Sequence, residues 1–403
     1  MTRLLPALLC LWTATLPAAP LQAATLQTEI TPAMAEMGCT ARLDGPITEG
    51  LLERIRPFLE RRLVEGWGET PAEQALVFRN FSPASDFGDG FFVHRLCLNS
   101  EGGSLQEAMR IVSYLRHRGT QTADGVTAAV ARGDACISAC AYIFLAGRFT
   151  RFAGLAGYDG ANSSNALLHP LGLLQLHAPE LRIPDEARFS GQEVRGIWGV
   201  GMEASALILR QIANGSLFLH PDLFARSLTH LGSDMLTIET VGQTVRWGIE
   251  IESVDVRSDR LPQDDTALAE AICRNAAALV PDYIELAEAD PIVRARAMPA
   301  AAGQSVPDQH MPDGFRDRLS GRLLSCELAG STLAGLRMSL RHYAQDDDWR
   351  VRMRYACGPI AVVFRLPESD CWSENCEITV EAPCLAAFPP DTPLQVLAPP
   401  PPP

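Results

Sequence analysis

At 403 residues the chain exceeds what one compact domain usually holds, which points to two folded regions with non-globular ends. With 47% hydrophobic and 20% charged residues, it has ample material for a core and does not read as disordered throughout. A formal net charge of -14 argues against a nucleic-acid partner, because phosphate recognition needs clustered Lys and Arg.

The first residues carry Arg3, an apolar run from Leu4 to Leu16, and then small residues through Ala24. That is the order of a secretory signal peptide, so residues 1–24 are expected to be removed near Ala23 or Ala24, leaving a periplasmic or secreted chain. The apolar run is too short for a good span, and no later segment approaches the roughly 18 to 20 apolar residues a membrane helix needs. Cys10 lies inside the leader.

Residues 25–262 alternate strand-like and helix-like stretches in the manner of an α/β layer fold. Strands are expected in MGCTARLDGPI, FFVHRLCLNS and VTAAVA, with a helix over TEGLLERIRPFLERRLVEG kinked at Pro57. The strongest helix signal is SLQEAMRIVSYLRHRG: Ser104 and Glu107 have capping-box spacing, Leu105, Ala108, Met109, Val112 and Leu115 share a face, and Gly119 can end it. After the turn at RGD comes the apolar helix ACAYIFLAG, so βαβ crossovers are expected. From Phe149 to Gly172 the composition reads as a long loop, followed by a helix from about Gly191 to Ala213 and a short helix and closing strand in DMLTIETVGQTVRWGIEIESVDV. The polar segment RSDRLPQDDT marks the boundary.

Residues 263–393 begin with the helix TALAEAICRNAAALV and turn β-rich in LRMSLRHYA, WRVRMRYACG, IAVVFRL and CEITVEA. This reads as a small cysteine-rich β or α+β domain, and residues 394–403 as a Pro-rich tail. Outside the leader, four cysteines precede residue 150 and six follow residue 270. An even number in an oxidising compartment fits disulfides that close within each region. Spacings such as CISAC and CWSENC do not match common zinc sites, so no metal is expected. Cys39 and Cys97, in neighbouring strands of one core, are expected to pair. Cys136 and Cys140, four apart across a helix start, would have Cα atoms about 6 Å apart and are expected to pair as well.

Three pieces of the first region carry the candidate chemistry. In LCLNSEGGSLQEAM a strand ends in Gly102-Gly103 and a helix begins at once, so the backbone can turn sharply and present N–H groups to an oxygen. A tight turn without a ligand explains this piece equally well. In GDACISACAYIFLAG, Ser138 stands at a helix start, where the Ala139 N–H is an unpaired donor suited to an oxyanion. The competing reading is that Ser138 is simply an N-cap. In LLHPLGLLQLHAP, His169 and His177 are both candidate bases for a seryl hydroxyl, which is a poor nucleophile until a base takes its proton.

The set NSEGGS, then DACISACAYIFLAG, then Pro170 with His177 seven residues on, resembles the Clp protease proteolytic subunit and related crotonase-fold serine peptidases. The resemblance extends in pattern over residues 36–255 and closely over about 95–180. Together with the leader it is nearest to exported Clp-like proteins of proteobacteria. It implies a Clp protease/crotonase-like layered βαβ superhelix, Ser138 as nucleophile, His177 as general base, and the N–H groups of Gly103 and Ala139 as oxyanion donors. It also implies Asp234 as third triad member, with Asp222 as the alternative, no cofactor, and a homo-oligomer of stacked rings. Glu101 stands where the family has proline, about fourteen residues are inserted around GYDGANSSNA, and cysteines flank Ser138.

No Walker A motif occurs, so the expected activity is an ATP-independent serine peptidase acting on peptides or unfolded segments. A non-catalytic binding protein on an inactive crotonase-like scaffold is the alternative. An acyl-CoA enzyme comes third, since its cofactor is cytosolic and the leader directs export.

Overall fold

The computed structural model describes residues 23–60, 94–121, 126–147, 166–179, 188–214, 216–217, 219–252, 254–255, 260–279, 294–298, 325–329, 336, 360–365 and 377–400. The expected signal peptide to residue 22 and the insertion around GYDGANSSNA lie outside them, as do most of LRMSLRHYA and WRVRMRYACG.

Strand β1 (Thr25–Gln27) runs antiparallel to β2 (Ala41–Asp44). Between them α1 (Pro32–Met37) starts with Pro32 behind a Thr31 cap and ends at Gly38 in the left-handed region, which turns the chain into Cys39. Helix α2 (Leu51–Leu59) contains Pro57 and buries Leu51, Ile55 and Leu59. Strand β3 (His94–Asn99) is almost wholly buried and lies parallel to β2, as an interior strand of a covered sheet should. Cys39 and Cys97 are joined by a disulfide beside this pair, with Cα atoms 5.6 Å apart.

Helix α3 (Leu105–Gln121) buries Ala108, Met109, Ile111, Val112 and Leu115. Its capping box is only half formed. Ser104 Oγ accepts from the Glu107 N–H at 3.2 Å, but the buried Glu107 carboxylate accepts from the Leu52 N–H at 2.7 Å. It thereby caps α2, whose own cap residue, Gly50, has no side chain. Long-range demand displaced the local bond the spacing predicts.

Strand β4 (Val126–Val130) continues the sheet in parallel. A turn leads to β5 (Ala135–Ile137) and to α4 (Ala139–Ala146), every residue of which is buried. The stretch expected as loop before Gly172 contains β6 (Leu167–Leu168), and β7 (Leu173–Leu176) follows it. Helix α5 (Gly191–Ala213) has a full capping box between Ser190 and Glu193 and buries only Ile208 and Gln211. After α6 (Pro221–Ser227) come β8 (Leu236–Thr237), α7 (Val241–Arg246) and β9 (Glu250–Ile251). The main sheet has the order β1-β2-β3-β4-β6-β9, parallel from β2 to β9, and a second sheet has the order β5-β7-β8. The architecture is α/β with a parallel-strand sheet.

Helix α8 (Asp265–Ala277) is capped by the Asp264 side chain. It is stapled by Cys273–Cys326 to a four-stranded sheet of β10 (Arg294–Met298), β11 (Ser325–Ala329), β12 (Ile360–Arg365) and β13 (Glu377–Ala382). Cys384 is also disulfide-bonded.

The last described residues do not trail away as a tail. Leu394 and Leu397 are buried, the Leu394 N–H donates to Glu239 O, and the Asp255 N–H donates to Leu397 O. Arg132 reaches Pro399 O at 2.9 Å. One continuous apolar core runs from α2 through α8 to Leu397. No helix among the described residues is long and apolar enough to cross a membrane.

Candidate active site

Ser138 sits where β5 reverses into α4, with φ 57° and ψ -121°. Among the described residues it is the only non-glycine with positive φ. Such a conformation costs an L-residue on the order of 1 to 3 kcal/mol and persists only where the surroundings impose it. The Ser138 side chain makes no capping bond to α4. Its Oγ instead lies 2.7 Å from His177 Nε2. The hydroxyl is thus withheld from the local role that Ser at a helix start usually takes.

The backbone around Ser138 is fixed on three sides. The Ile137 N–H donates to Ser100 O at 3.0 Å, the Ser138 N–H to Gln175 O at 2.9 Å, and the Ala141 N–H to Ser138 O at 3.0 Å. Gln175 is in β7, so the strand that receives the Ser138 N–H also delivers His177 two residues later. Asn99 ties β5 to the main sheet: its Oδ1 accepts from the Ala135 N–H at 3.0 Å while its Nδ2 donates to Asp44 at 2.9 Å. Asp134, just before β5, pairs with Arg42 at 2.7 Å, and burial raises its carboxyl above the usual range against the pull of that guanidinium.

Gly102 and Gly103 have φ of +96° and +133°. A Cβ on Gly102 would lie 2.7 Å from Ile137 O and 2.9 Å from Ser138 Cβ, so this turn packs directly on the Ser138 backbone. The Ile47 N–H donates to Gly102 O and the Ser104 N–H to Ile47 O. In a parallel bridge of this kind the enclosed residue's own N–H faces the opposite way. Neither the Gly103 N–H nor the Ala139 N–H donates to a described residue. These are the two groups named from the sequence as oxyanion donors.

The two histidines separate clearly. His169 is fully buried; its Nδ1 accepts from the Leu171 N–H at 2.9 Å, which places its proton on Nε2, 3.3 Å from Glu36. It is a satisfied structural group some distance in role from Ser138.

Neither aspartate named as third member meets His177. Asp234 is 67% exposed and lies 3.0 Å from Nδ1 of His230, its i,i+4 neighbour, without forming a hydrogen bond to it. Asp222 is held by Arg226, Arg246 and the Trp247 indole N–H. His177 Nδ1 is buried and has no hydrogen-bond partner among the described residues. Sequence reasoning assigned no role to Asn99, read Gly102 only as half of a sharp turn, and read Glu107 only as the capping-box partner of Ser104. Asn99 and Gly102 lie within the NSEGGS motif, so the signal was present without a partner to interpret it. No group of residues able to hold a metal ion occurs among the described residues.

No family model and no curated protein matches the chain. Among solved structures, a mutant of ClpP1 from Listeria monocytogenes aligns at 14% identity with a TM-score of 0.31, over 52% of this chain and 88% of that one. A mutant of the 1510-N membrane-bound stomatin-specific protease aligns at 15% identity with a TM-score of 0.29, over 52% and 76%. What the site can do is therefore read from its own geometry.

Proposed function

We propose that this chain is an ATP-independent serine peptidase of Clp-like type, exported to the periplasm and acting on peptides or unfolded segments. The observation that supports it most is the 2.7 Å approach of Ser138 Oγ to His177 Nε2 at a strained strand-to-helix turn. As Oγ attacks a peptide carbonyl carbon, its proton passes to His177 Nε2, and the carbonyl oxygen becomes an oxyanion that accepts from the Gly103 and Ala139 N–H groups. The protonated imidazole then donates to the departing amine, leaving an acyl group on Ser138. Water, deprotonated by the same imidazole, releases the acid and regenerates the hydroxyl.

The test is labelling of the mature protein by a fluorophosphonate probe, with the modified peptide mapped to Ser138. A folded protein that takes up no label sinks the peptidase reading. One observation favours the second reading, a non-catalytic binding protein on the same scaffold. Among the described residues no carboxylate reaches His177 Nδ1 to orient the base and stabilise its charged form. Export is checked separately: the purified mature chain should begin near Ala24 or Thr25, and retention of Met1 rejects it.

A further inference from the structure

We propose that the Cys136–Cys140 disulfide is a positioning element, which holds Ser138 in the conformation that presents its hydroxyl to His177; the proposal rests on the peptidase reading of Ser138. The disulfide joins the residues two before and two after Ser138, with Cα atoms 5.2 Å apart. Cys136 belongs to β5 and Cys140 to α4, and both are fully buried. Ser138 is the residue at which the strand becomes the helix.

A seryl residue at φ 57° can relax in two directions. The helix could start earlier, drawing Cys136 and Ile137 into helical geometry. That route is blocked by sheet pairing: Ala135, Cys136 and Ile137 are in register with Leu173, Leu174 and Gln175 of β7, and the Ile137 N–H is held by Ser100 O. Alternatively the strand could extend through Ser138. Four extended residue steps span about 13 Å between end Cα atoms, far more than a disulfide tolerates. The pairing closes one route and the disulfide the other, so the positive φ is what remains. The same ring contains Ala139, whose N–H is one of the two unpaired donors, so hydroxyl and donor are set by one covalent loop. Cys39–Cys97 offers an internal comparison, since it ties the turn between α1 and β2 to β3 without enclosing Ser138.

The experiment compares the wild type with Cys136→Ala/Cys140→Ala, with the volume-preserving pair Cys136→Val/Cys140→Ala, and with Cys39→Ala/Cys97→Ala as control. In either variant at the first site, a crystal structure is expected to show Ser138 at negative φ and its Oγ beyond hydrogen-bond reach of His177. On a peptide substrate kcat is expected to fall at least tenfold while KM changes less than twofold, because binding is kept and orientation is lost. The control should melt at a lower temperature with kcat unchanged. Retention of positive φ and of the Ser138–His177 contact in a folded variant overturns the proposal, as does an equal loss of kcat in the control. Absence of label on wild-type Ser138 removes the peptidase reading alone, since the φ comparison still decides whether the disulfide positions the turn.

Discussion

The Ser138 hydroxyl meets the His177 imidazole across 39 residues of chain at 2.7 Å, and one strand controls both ends of that contact. β7 accepts the Ser138 N–H through Gln175 O and carries His177 just past its last residue. Displacing β7 therefore moves the base and the nucleophile's backbone together.

Substitution at these two positions separates chemistry from stability. Since Ser138 Oγ does not cap α4, Ser138→Ala should leave the melting temperature nearly unchanged while abolishing fluorophosphonate labelling and hydrolysis. Ser138→Gly should also be inactive yet more stable by about 1 kcal/mol, because glycine adopts positive φ without the steric penalty. His177→Ala should lower labelling by at least about 100-fold, the size expected for loss of a general base. A Ser138→Gly protein that melts below the wild type shows that the turn is not strained.

Gly102→Ala tests the contact between the two turns. The added Cβ would stand 2.7 Å from Ile137 O and 2.9 Å from Ser138 Cβ, so the Ser138 backbone must shift or the Gly102 turn must open. Either response should cost about 1 to 3 kcal/mol of stability and reduce labelling of the folded fraction by tenfold or more. Denaturation curves and labelling rates on the same preparation give both numbers. Undiminished labelling means that the turn gives way without disturbing the site.

Asp234→Asn should change neither labelling nor hydrolysis by more than about twofold, since an exposed carboxylate beside His230 contributes little to anything distant. Asp222→Asn should instead destabilise, because one amide oxygen replaces the two that together accept from Trp247, Arg226 and Arg246, and the charge those guanidiniums pair with is gone. A large kcat loss in a fully folded Asp234→Asn protein restores it as a member of the site.

What could be read from the sequence follows the range of the forces involved. β3, α3, β4 and α4 are legible because each carries its own periodicity, and Cys39–Cys97 and Cys136–Cys140 because their partners sit in or beside adjacent elements. Choosing His177 over His169 needed the family spacing; composition alone left both open, and only the Glu36 and Leu171 partners show why His169 is occupied. Asp234 illustrates the opposite case. A carboxylate at about the right offset from a motif has no say in where its loop folds, and here Asp234 ends up exposed beside its i,i+4 neighbour His230. The C-terminal prolines mislead for a similar reason: low complexity hides Leu394 and Leu397, which are buried against the segment around Glu239 and Asp255, more than a hundred residues earlier in the chain.

That buried terminus yields a stability prediction. Deleting residues 390–403 removes Leu394 and Leu397 from the core and the backbone bonds to Glu239, Val241, Gly242 and Asp255. Two buried leucines alone correspond to about 3 to 6 kcal/mol, so the truncated protein should unfold at markedly lower urea or fail to accumulate. An unchanged unfolding midpoint shows that the segment is dispensable.

Acid sensitivity should trace to Glu36. Burial alone would raise its carboxyl, but hydrogen bonds from His169 and Arg132, with their electrostatic pull, outweigh it and bring the pKa down from 4.5 to about 2. Arg132 grips the carboxylate at 3.1 Å through two nitrogens and also holds Pro399 O, so this one group links α1, the turn before β5 and the C-terminal segment. A carboxyl whose pKa is depressed on folding binds protons more readily in the unfolded chain. Its stabilising contribution is therefore complete above about pH 4.5 and is lost progressively as pH falls through about 2. Allowing for screening at the partly open Arg132 side, the loss should be about 1 to 3 kcal/mol. Glu36→Gln should be less stable than the wild type at pH 7, and the difference should shrink steeply as pH falls from about 4.5 toward 2, because the unfolded wild-type chain then takes up the proton and the folded carboxyl begins to take it up too. Parallel urea titrations of the two proteins between pH 7 and pH 2 measure that convergence, and a gap that stays constant over the whole range assigns the effect to lost packing and not to the charge.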